Sequence, residues 1–361
     1  MSSNWKTTTW GELATLEYGK GLIGYENANG DFPVYGTNGK IGWHTEPLFD
    51  KAGVIIGRKG AYRGVHYSKT PFFVIDTAFY LKPKIEFDLL WAYYQLLTQD
   101  INSMDSGSAI PSTSRPDFYA LPVKFPSLPE QRAIAGILGT LDDKIELNHR
   151  MNATLESMAR AAFRQWFVEN EEVGNWGVGR LGDVITNFDS KRVPLANRER
   201  AQRQGKYPYY GAASIMDYID DYLFDGIYVL MAEDGSVVDD DDHPVIQYVW
   251  GKFWVNNHAH VLRGANGICN EHLYLFLKEV NILPYVTGAV QPKLNQANMN
   301  SIPFVLPPKE LCKKFEEFVS PLFAQIRAND EESRTLASLR DGLLPKLMRG
   351  LVMVKKLEEN K

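Results

Sequence analysis

Four side chains of the types that bind zinc lie close together in the second half of the chain. His258 and His260 are separated by one residue, and Cys269 and His272 follow them. Imidazole nitrogens and thiolate sulfurs are ligands that zinc commonly takes in proteins. The segment therefore offers a candidate metal site, and the alternative is that its histidines serve the fold or face a ligand without a metal.

Two further patterns could bind phosphate or magnesium. Residues Gly19 to Gly24 fit G-x-G-x-x-G, but turn-like residues 25–30 follow where a dinucleotide-binding site would need a helix. The acidic run from Asp239 to Asp242 could hold magnesium, although a solvated loop is the simpler interpretation. We therefore predict loops at both places.

The sequence lacks the signatures of the enzymes it might be compared with. No Gly-Lys pair is followed by serine or threonine, so the chain has no phosphate-binding P-loop. The pair Pro307-Pro308 lies between Leu306 and Lys309, rather than between Asn or Asp and an aromatic residue as in adenine methyltransferases. We expect no catalytic residue and no bound metal, and an enzyme with an unrecognised site is the alternative.

The composition is that of a globular protein with more than one domain. The 361 residues are 44% hydrophobic and 23% charged, which excludes a disordered or collagen-like chain. Two cysteines cannot make a disulfide framework, and they predict buried thiols in a reducing compartment. No signal peptide is evident and no run of about 18 apolar residues occurs, so we expect a cytoplasmic protein without membrane contact.

The chain contains one pattern twice. Residues 10–13 (WGEL) resemble 181–184 (LGDV), and residues 32–36 (FPVYG) resemble 207–211 (YPYYG). The offset grows from 171 to 175 and then stays at 181, as insertions in the loops of the second copy would produce. A period this long is typical of a duplicated domain rather than of a solenoid.

Each copy changes its character once. Its first part is rich in glycine, proline and aromatic residues with short β-branched runs, which predicts a mixed α+β module, including a helix near residues 89–98. Its second part predicts a long helix. The predicted domains are a first module at 1–128, a first long helix at 129–170, a second module at 171–308, a second long helix at 309–350 and a tail at 351–361.

Apolar residues follow steps of four and three along both predicted helices, as in a coiled coil. Polar residues interrupt both seams at matching places, where they would fix register at a cost in stability. We predict that the helices pair antiparallel in a pseudo-twofold arrangement that separates the modules; the alternative is that each helix packs on its own domain. The seam residues are Ile134, Leu138, Leu141, Ile145, Asn148, Asn152 and Leu155, then Phe315, Val319, Leu322, Ile326, Asn329, Ser333 and Leu336.

These features resemble the DNA-specificity subunit of type I restriction–modification systems. The resemblance rests on Leu128-Pro129-Glu130-Gln131-Arg132, on the following Leu138-Gly139-x-Leu141-Asp142-x-Lys144-Ile145, and on the order of module, helix, module and helix along the whole chain. The second junction departs from this motif, with Pro307-Pro308-Lys309-Glu310-Leu311, and is assigned by its position and by the duplication.

The resemblance implies a non-catalytic subunit. Each module would be a target-recognition domain that reads one half of a split double-stranded DNA sequence, and the paired helices would set the distance between the halves. Their outer faces would dock two methyltransferase (modification) subunits carrying S-adenosylmethionine, and restriction subunits with translocase and nuclease activity would join through the complex. No cofactor is expected on this chain. A structural adaptor that binds proteins rather than DNA is the alternative.

Loops that differ between the two copies are the candidates for DNA contact, because the glycines and prolines common to both should hold the scaffold. Arginine and lysine suit guanine or phosphate, and asparagine and glutamine suit adenine. A solvated turn is the alternative for each loop. The candidates are Asn38, Lys40, Arg58, Lys59, Tyr62, Arg63, Ser112, Arg115, Ser214, Ser236, Asn256, His258, Lys293, Asn295 and Gln296.

Two comparisons between the copies refine these expectations. The first copy carries Thr77 and Phe79 in place of His258 and His260, so we prefer strand or DNA contact to zinc for these histidines. The loops of the two copies also differ in chemistry, which predicts two unlike half-sites and an asymmetric target.

Charge is divided unequally between the modules. The first module carries 12 basic and 12 acidic side chains and the second carries 11 and 17, within a net charge of −5. Because phosphate neutralisation supplies most non-specific affinity, we expect the isolated chain to bind DNA weakly. For docking of the modification subunits we expect exposed residues on the helices, including Arg132, Lys144, Arg160, Phe163, Arg164 and Phe167.

Overall fold

The computed structural model describes residues 5–25, 29–104, 110–288, 291–352 and 354. The chain divides into two compact units. Unit 1 comprises residues 1–147 and 332–361, and unit 2 comprises residues 148–331. The division cuts both long helices, so each unit combines one module with a part of each helix.

The described part of unit 1 contains three sheets and a set of helices. The sheet orders are β1-β9, β2-β8-β5-β6 and β4-β3-β7, and the pairs are antiparallel except for the parallel pair β3-β7. The elements are β1 (Lys6–Thr9), α1 (Trp10–Leu13), β2 (Ala14–Tyr18), β3 (Phe32–Gly36), β4 (Gly39–His44), β5 (Gly53–Gly57), β6 (Val65–Ser68), β7 (Phe73–Val74), β8 (Ala78–Pro83), α2 (Leu89–Leu97), α3 (Arg115–Ala120), β9 (Pro122–Phe125) and the long helix α4 (Leu128–Phe163), which continues into unit 2.

Unit 2 repeats this arrangement. Its described strands form sheets in the orders β10-β19, β11-β18-β15-β16 and β13-β12-β17-β14. The elements are β10 (Gly177–Arg180), β11 (Ile185–Asn187), α5 (Asn197–Gln202), β12 (Gln204–Tyr210), β13 (Ile215–Ile219), β14 (Phe224–Asp225), β15 (Tyr228–Ala232), β16 (Ile246–Val249), β17 (Lys252–Val255), β18 (Ala259–Gly264), α6 (Asn270–Leu277), α7 (Gln296–Ser301), β19 (Pro303–Leu306) and the long helix α8 (Lys309–Met348), which continues into unit 1. A π-helical turn, Arg164–Val168, extends α4, and short 3-10 turns lie at Ile101–Ser103, Val173–Asn175, Leu181–Asp183, Asp189–Lys191 and Leu283–Tyr285.

The two copies therefore share their strand order, except that β14 adds an edge strand to one sheet of unit 2, and the duplication is a structural one. The four-stranded sheet that contains β2 corresponds to the one that contains β11. Helix α3 begins at Arg115 and α7 begins at Gln296, and both are preceded by a residue whose side chain caps the helix, Ser114 and Asn295. The predicted α+β fold is confirmed, as is the helix near residues 89–98, which is α2.

Each unit has its own hydrophobic core. In unit 1 the side chains of Trp10, Trp91 and Phe118 are fully buried, and Leu138 of α4 packs on them. In unit 2 the corresponding core contains Phe304 and Phe315, together with side chains from the end of α4. Since burial of one large apolar side chain contributes roughly 1.5–3 kcal/mol, these clusters are the main source of stability in each module.

The two long helices pair antiparallel within each unit. In unit 1, Asp142 bonds to Arg340 (2.6 Å) and Lys144 pairs with Glu332 (3.0 Å). In unit 2, the side-chain amide of Asn148 donates to the Asn329 carbonyl, and that of Asn152 donates to the Ile326 carbonyl, both at 3.2 Å. Residue numbers fall along one helix as they rise along the other, so the predicted antiparallel pairing is confirmed.

The predicted seam residues of the two long helices are shielded from solvent. None of the fourteen seam positions is exposed, and Asn148, Asn329 and Ser333 are buried among them.

Pro321 lies inside α8, where proline costs about 3 kcal/mol in an isolated helix. The neighbouring Val319 and Phe323 are buried in the core of unit 2, and we attribute the continuity of α8 to that packing.

Candidate nucleic-acid interface

Three loops of unit 1 meet on one surface. The backbone of Lys59 bridges to that of Ser112, and the Thr113 N–H donates to the Arg58 carbonyl at 2.9 Å. The Thr37 hydroxyl donates to the Lys59 carbonyl at 2.8 Å. The structure therefore brings together the loops that the sequence singled out, at residues 37–40, 57–63 and 112–115.

Tyr18, which we did not predict, joins two of the candidate arginines. The guanidinium carbon of Arg58 lies 4.8 Å from the centroid of the Tyr18 ring, and that of Arg115 lies 5.1 Å from it. The ring is 49% exposed. Two guanidinium groups beside an exposed aromatic ring suit a phosphate together with a sugar or base. The available signal in the sequence was the place of Tyr18 at the end of β2, directly before Gly19.

Four further candidates of the first module are exposed to solvent. Tyr62 is 81% exposed, and Lys59 and Asn38 are also exposed. Lys40 is exposed and its ammonium lies 3.4 Å from the centroid of the Trp43 ring. These side chains are accessible to a ligand, as the sequence analysis requires of them.

Arg63 is a structural residue, and its prediction as a DNA contact is wrong. Its side chain is 2% exposed, and its guanidinium donates to the backbone carbonyls of Gly60, Ile101, Asn102 and Met104 at 2.7–3.2 Å. A buried guanidinium needs partners for its donors, and backbone oxygens accept from both terminal nitrogens of Arg63, while Nε has no partner among the described residues. Arg63 therefore fastens the loop 57–63 to the segment after α2.

Unit 2 builds the same backbone frame. The backbone of Asp234 bridges to that of Lys293, as Lys59 does to Ser112. The Leu294 N–H donates to the Glu233 carbonyl at 2.9 Å, as Thr113 does to Arg58. Gly60 and Gly235, at matching places in the two loops, both have positive φ (123° and 81°), a conformation that favours glycine. The two surfaces are therefore equivalent in their backbone.

The side chains on this shared frame differ in charge and type. Arg58 of the first copy corresponds to Glu233, Arg115 corresponds to Gln296, and Tyr18 corresponds to Asp189, because Tyr18 pairs with Phe79 in one sheet and Asp189 lies beside His260 in the other. The first surface presents cations and an aromatic ring. The second places carboxylates at the equivalent positions, where Arg192, His258 and His260 pair with them. A carboxylate can accept a hydrogen bond from the amino group of cytosine but repels phosphate.

Two candidates of the second module are also corrected. Asn256 is 3% exposed, and its side-chain oxygen accepts from the His258 N–H (2.8 Å), so it shapes the turn before β18 instead of reaching DNA. The Asn295 oxygen accepts from the Asn298 N–H at 2.9 Å and caps α7. A bidentate contact to adenine needs that oxygen, so Asn295 does not offer one. Ser214, Ser236, Lys293 and Gln296 are exposed.

The residues proposed for zinc have separate environments. His258 bonds to Asp234 (2.7 Å), His260 bonds to Asp189 (2.6 Å), and His272 is buried among phenylalanine rings. The Cys269 sulfur accepts from the His272 N–H at the start of α6. Burial raises the pKa of the Cys269 thiol to about 12, which disfavours the thiolate that a metal needs. These four residues therefore do not form the zinc site that their spacing suggested.

A compact ionic network lies beneath the surface of unit 2. His260 contacts Asp189 and lies 3.8 Å from Glu233, while Arg192 contacts both carboxylates, at 3.6 Å and 2.7 Å. The spacing of the two carboxylates and the imidazole is that of a metal site. However, the Arg192 guanidinium supplies a cation to the same carboxylates, and both nitrogens of His260 are already engaged. We interpret the group as an ion-pair network.

The predicted docking residues on the helices also divide into two sets. Phe163 (2% exposed) and Phe167 (6%) belong to the core of unit 2, so their prediction as surface residues is wrong. Arg160 and Arg164 are accessible but pair with Glu279, Lys144 pairs with Glu332, and Arg132 lies 3.8 Å from Glu86. Apolar positions of these helices that are exposed were missed by the sequence analysis.

Comparison with known proteins now identifies the family. The profile described as "Type I restriction modification DNA specificity domain" matches residues 2–157 and again residues 174–336. The MjaIX specificity subunit of Methanocaldococcus jannaschii is 24% identical over 352 residues, 86% of this chain and 80% of that protein. A type I specificity subunit of Haemophilus influenzae is 33% identical over 162 residues, 45% of this chain but only 40% of that protein.

A solved structure supports the fold. The S subunit of the type I restriction–modification system from M. genitalium superposes with a TM-score of 0.65 at 21% identity, covering 95% of this chain and 96% of that one. Because the family profile matches most of its length, the chain belongs to the family of type I restriction–modification DNA specificity proteins. It is a non-catalytic DNA-specificity subunit with two copies of the specificity domain.

Among the described residues, even the two long helices carry too many charged side chains to cross a bilayer.

Proposed function

We propose that this chain reads a split, asymmetric DNA sequence through its two modules and holds two methyltransferase subunits on its long helices. S-adenosylmethionine would bind to those partners, which methylate adenine in each half-site. Restriction subunits would join through the assembled complex. The chain itself would contribute recognition and geometry.

One observation carries the proposal of an asymmetric target. The two surfaces share a backbone frame, yet Arg58 of one stands where the other has Glu233. Base edges are read by hydrogen-bond donors and acceptors, so a guanidinium and a carboxylate at one place select different bases. The cation–aromatic group at Tyr18 and the ionic network at Asp189 extend this difference.

Sequencing of methylated adenines in DNA treated with the reconstituted methyltransferase complex tests this proposal. We expect two unlike half-sites separated by a fixed spacer. Arg58→Ala should reduce discrimination at one half-site only, while the exposed Lys51→Ala, outside the three loops, should leave both unchanged. A palindromic motif would contradict the asymmetry, and an unmethylated genome would contradict the function.

Exposed apolar side chains support docking of two equivalent partners. On α4, Ile137 is 38% exposed and Met158 is 49% exposed. On α8, the positions equivalent to these, 181 residues later, are Phe318 (41% exposed) and Leu339 (49%). Unit 1 therefore carries Ile137 with Leu339, and unit 2 carries Met158 with Phe318. Exposed apolar groups on otherwise polar helices are typical of interfaces.

Substitution of one apolar residue in each unit tests the docking. Met158→Glu should lower the number of methyltransferase subunits bound per chain from two to one, and the double variant with Leu339→Glu should abolish binding. Ile85→Glu, an exposed apolar residue outside the long helices, serves as the matched control. Native mass spectrometry gives the stoichiometry, and two subunits retained by the double variant would place the docking surface elsewhere.

The charge distribution supports a dependence of DNA binding on these partners. The second module has more acidic than basic side chains, and its reading surface contains Glu233 and Asp234. Few phosphates can then be neutralised by this module alone. Nanomolar, sequence-specific binding by the isolated chain at physiological salt would contradict this part of the proposal.

A further inference from the structure

Both ring nitrogens of His260 face hydrogen-bond acceptors. Nδ1 lies 2.6 Å from a carboxylate oxygen of Asp189, and Nε2 lies 2.8 Å from the backbone carbonyl of Leu294. A backbone carbonyl can only accept, and so can an ionised carboxylate. A neutral imidazole has one N–H, so it can satisfy only one of these two contacts. The geometry requires the doubly protonated imidazolium.

The surroundings of Asp189 show that its carboxylate is ionised. One oxygen accepts from the Val261 N–H at 2.8 Å, and the other accepts from the Asn187 amide at 3.0 Å as well as from His260. Arg192 lies 3.6 Å away. Burial alone would raise the pKa of Asp189, but the hydrogen bond and charge of His260 outweigh it, and the pKa is lowered.

The charges that face His260 favour its protonated form. Asp189 and Glu233 are acidic, Arg192 is basic, and the imidazolium brings these four groups to electrical balance. Burial of the ring, which is 1% exposed, lowers its pKa, but the hydrogen bond and charge of Asp189 together with the Leu294 and Glu233 contacts raise it above the usual value. The network therefore contains a buried group, His260, that can gain or lose a proton.

His260 donates a hydrogen bond to Leu294, which lies in a loop of the second reading surface. Leu294 lies in the segment 293–296, which carries the exposed side chains of Lys293 and Gln296. In the first copy, Phe79 stands at the position of His260 and cannot titrate. There the loop is fastened by the Thr113 hydroxyl, which donates to the Gly57 carbonyl at 2.7 Å. Beyond the backbone bonds that both copies share, the loop is held by a hydroxyl hydrogen bond in unit 1 and by the His260 ring in unit 2.

We propose that His260 is a positioning residue whose protonation fixes the loop 293–296, so that recognition of one half-site weakens as the pH rises while recognition of the other does not. The proposal rests on the proposed function, because it concerns the regulation of one of the two reading surfaces. The His260 ring makes one hydrogen bond to Asp189 and one to Leu294 of the loop, and loss of a proton leaves only one donor for these two acceptors. The unit 1 surface provides an internal reference in the same molecule.

The first experiment measures the proton without DNA. The full chain is labelled with ¹⁵N-histidine, and the His260 signals are assigned by their absence in His260→Phe. We expect both ring nitrogens to carry a proton at neutral pH and one to lose it at a pH above 6.5, the ordinary pKa. A single neutral tautomer at pH 7 would overturn the proposal, and His260→Gln gives a second route to the assignment if His260→Phe does not fold.

The second experiment measures recognition of each half-site by the assembled methyltransferase complex. For each half-site, the affinity for intact DNA is divided by that for DNA with this half-site scrambled, between about pH 6.5 and about pH 9. Discrimination at the unit 2 half-site should fall roughly tenfold across this range, with that at the unit 1 half-site unchanged. His260→Gln, which keeps one donor and never titrates, should give a low and flat profile, whereas His243→Gln should match the native protein.

The outcomes separate this proposal from the proposed function. No discrimination at either half-site at any pH would mean that the chain does not read DNA as proposed, whatever the state of His260. Discrimination at both half-sites that is independent of pH and unchanged in His260→Gln would refute the role of His260 and leave the proposed function intact.

Discussion

Asn148 donates a hydrogen bond from its side-chain amide to the backbone carbonyl of Asn329, the residue that holds the same position in the second copy of the duplication. Both side chains are buried, at 0% and 3% exposure. Contact between equivalent residues is what a local two-fold axis between the helices requires. A buried asparagine in a helix seam fixes register and orientation, so this pair sets where the two helices cross.

Loss of the Asn148 amide should therefore destabilise the helix pair. Asn148→Ala removes a buried hydrogen bond and leaves space in the seam, so we expect a loss of about 1–3 kcal/mol in the free energy of unfolding. Asn148→Leu should recover part of it but relax the register. Urea denaturation measures the stability, and the exposed Arg150→Ala is the control. Equal stability of all three variants with the native chain would show that the seam does not depend on this residue.

Arg63 should behave as a stability residue and Lys59 as a surface residue. Arg63→Met leaves buried carbonyls at Ile101 and Met104 without their donors, and we expect unit 1 to lose roughly 2–4 kcal/mol. Lys59→Ala should leave stability within about 0.5 kcal/mol and weaken DNA binding by the complex. Hydrogen exchange of unit 1 peptides measures the first effect. Normal protection in Arg63→Met would be evidence against the structural role.

His272 should make unit 2 sensitive to acid. Burial lowers its pKa to about 3, and its Nδ1 has no hydrogen-bond partner in the described part of the chain. A base whose pKa is lower in the folded state stabilises the fold fully above its unfolded pKa of about 6.5, and this contribution falls below that pH by up to about 1.4 kcal/mol per pH unit. The stabilising effect of the neutral ring should thus disappear progressively between about pH 6.5 and pH 3.

Replacement by an apolar ring of similar size should remove this sensitivity. His272→Phe fits among the neighbouring Phe163, Phe167, Phe304 and Phe315 rings. We expect it to be at least as stable as the native chain at neutral pH and more stable below about pH 5. Urea midpoints between pH 4 and pH 8 provide the measurement, with the exposed His149→Gln as control. A variant that still loses stability at the native rate would point to other groups.

The two cysteines should be inert in the folded chain. Burial raises the pKa of Cys269 to about 12 and also raises that of Cys312, so little thiolate is present at neutral pH. We expect Ellman's reagent to react slowly with the native protein and with both thiols at once after unfolding in urea. Rapid labelling of one thiol in the native state would indicate that its site opens locally.

Patterns that repeat along the chain predicted the fold well. The seam from Ile134 to Leu155 follows a strict helical spacing, so the helix pair could be inferred from the sequence, and the offset of 181 residues fixed which positions are equivalent. The reading loops were found because they differ between two otherwise similar copies. These signals are local or periodic, and a single sequence contains them.

The burial and the hydrogen-bond partners of individual polar side chains could not be inferred from such patterns. Arg63 looked like a DNA contact because its type and loop were right, but its burial depends on carbonyls 38–41 residues away. For His260 we preferred strand or DNA contact to zinc, but its partner Asp189, 71 residues earlier, could not be inferred. Such pairings are decided by tertiary packing, which no local spacing reports.

Unit 1 is assembled from two separate stretches of chain, whereas unit 2 is one continuous stretch. Residues 332–348, including Leu343, Leu344 and Leu347, complete the hydrophobic core of unit 1. During translation these residues leave the ribosome after all of unit 2, and domains generally fold as their residues emerge. The second module can therefore finish folding first, and the first module must wait on the ribosome for its last helix. A chain whose synthesis stops within α8 would therefore contain a complete second module and an incomplete first module.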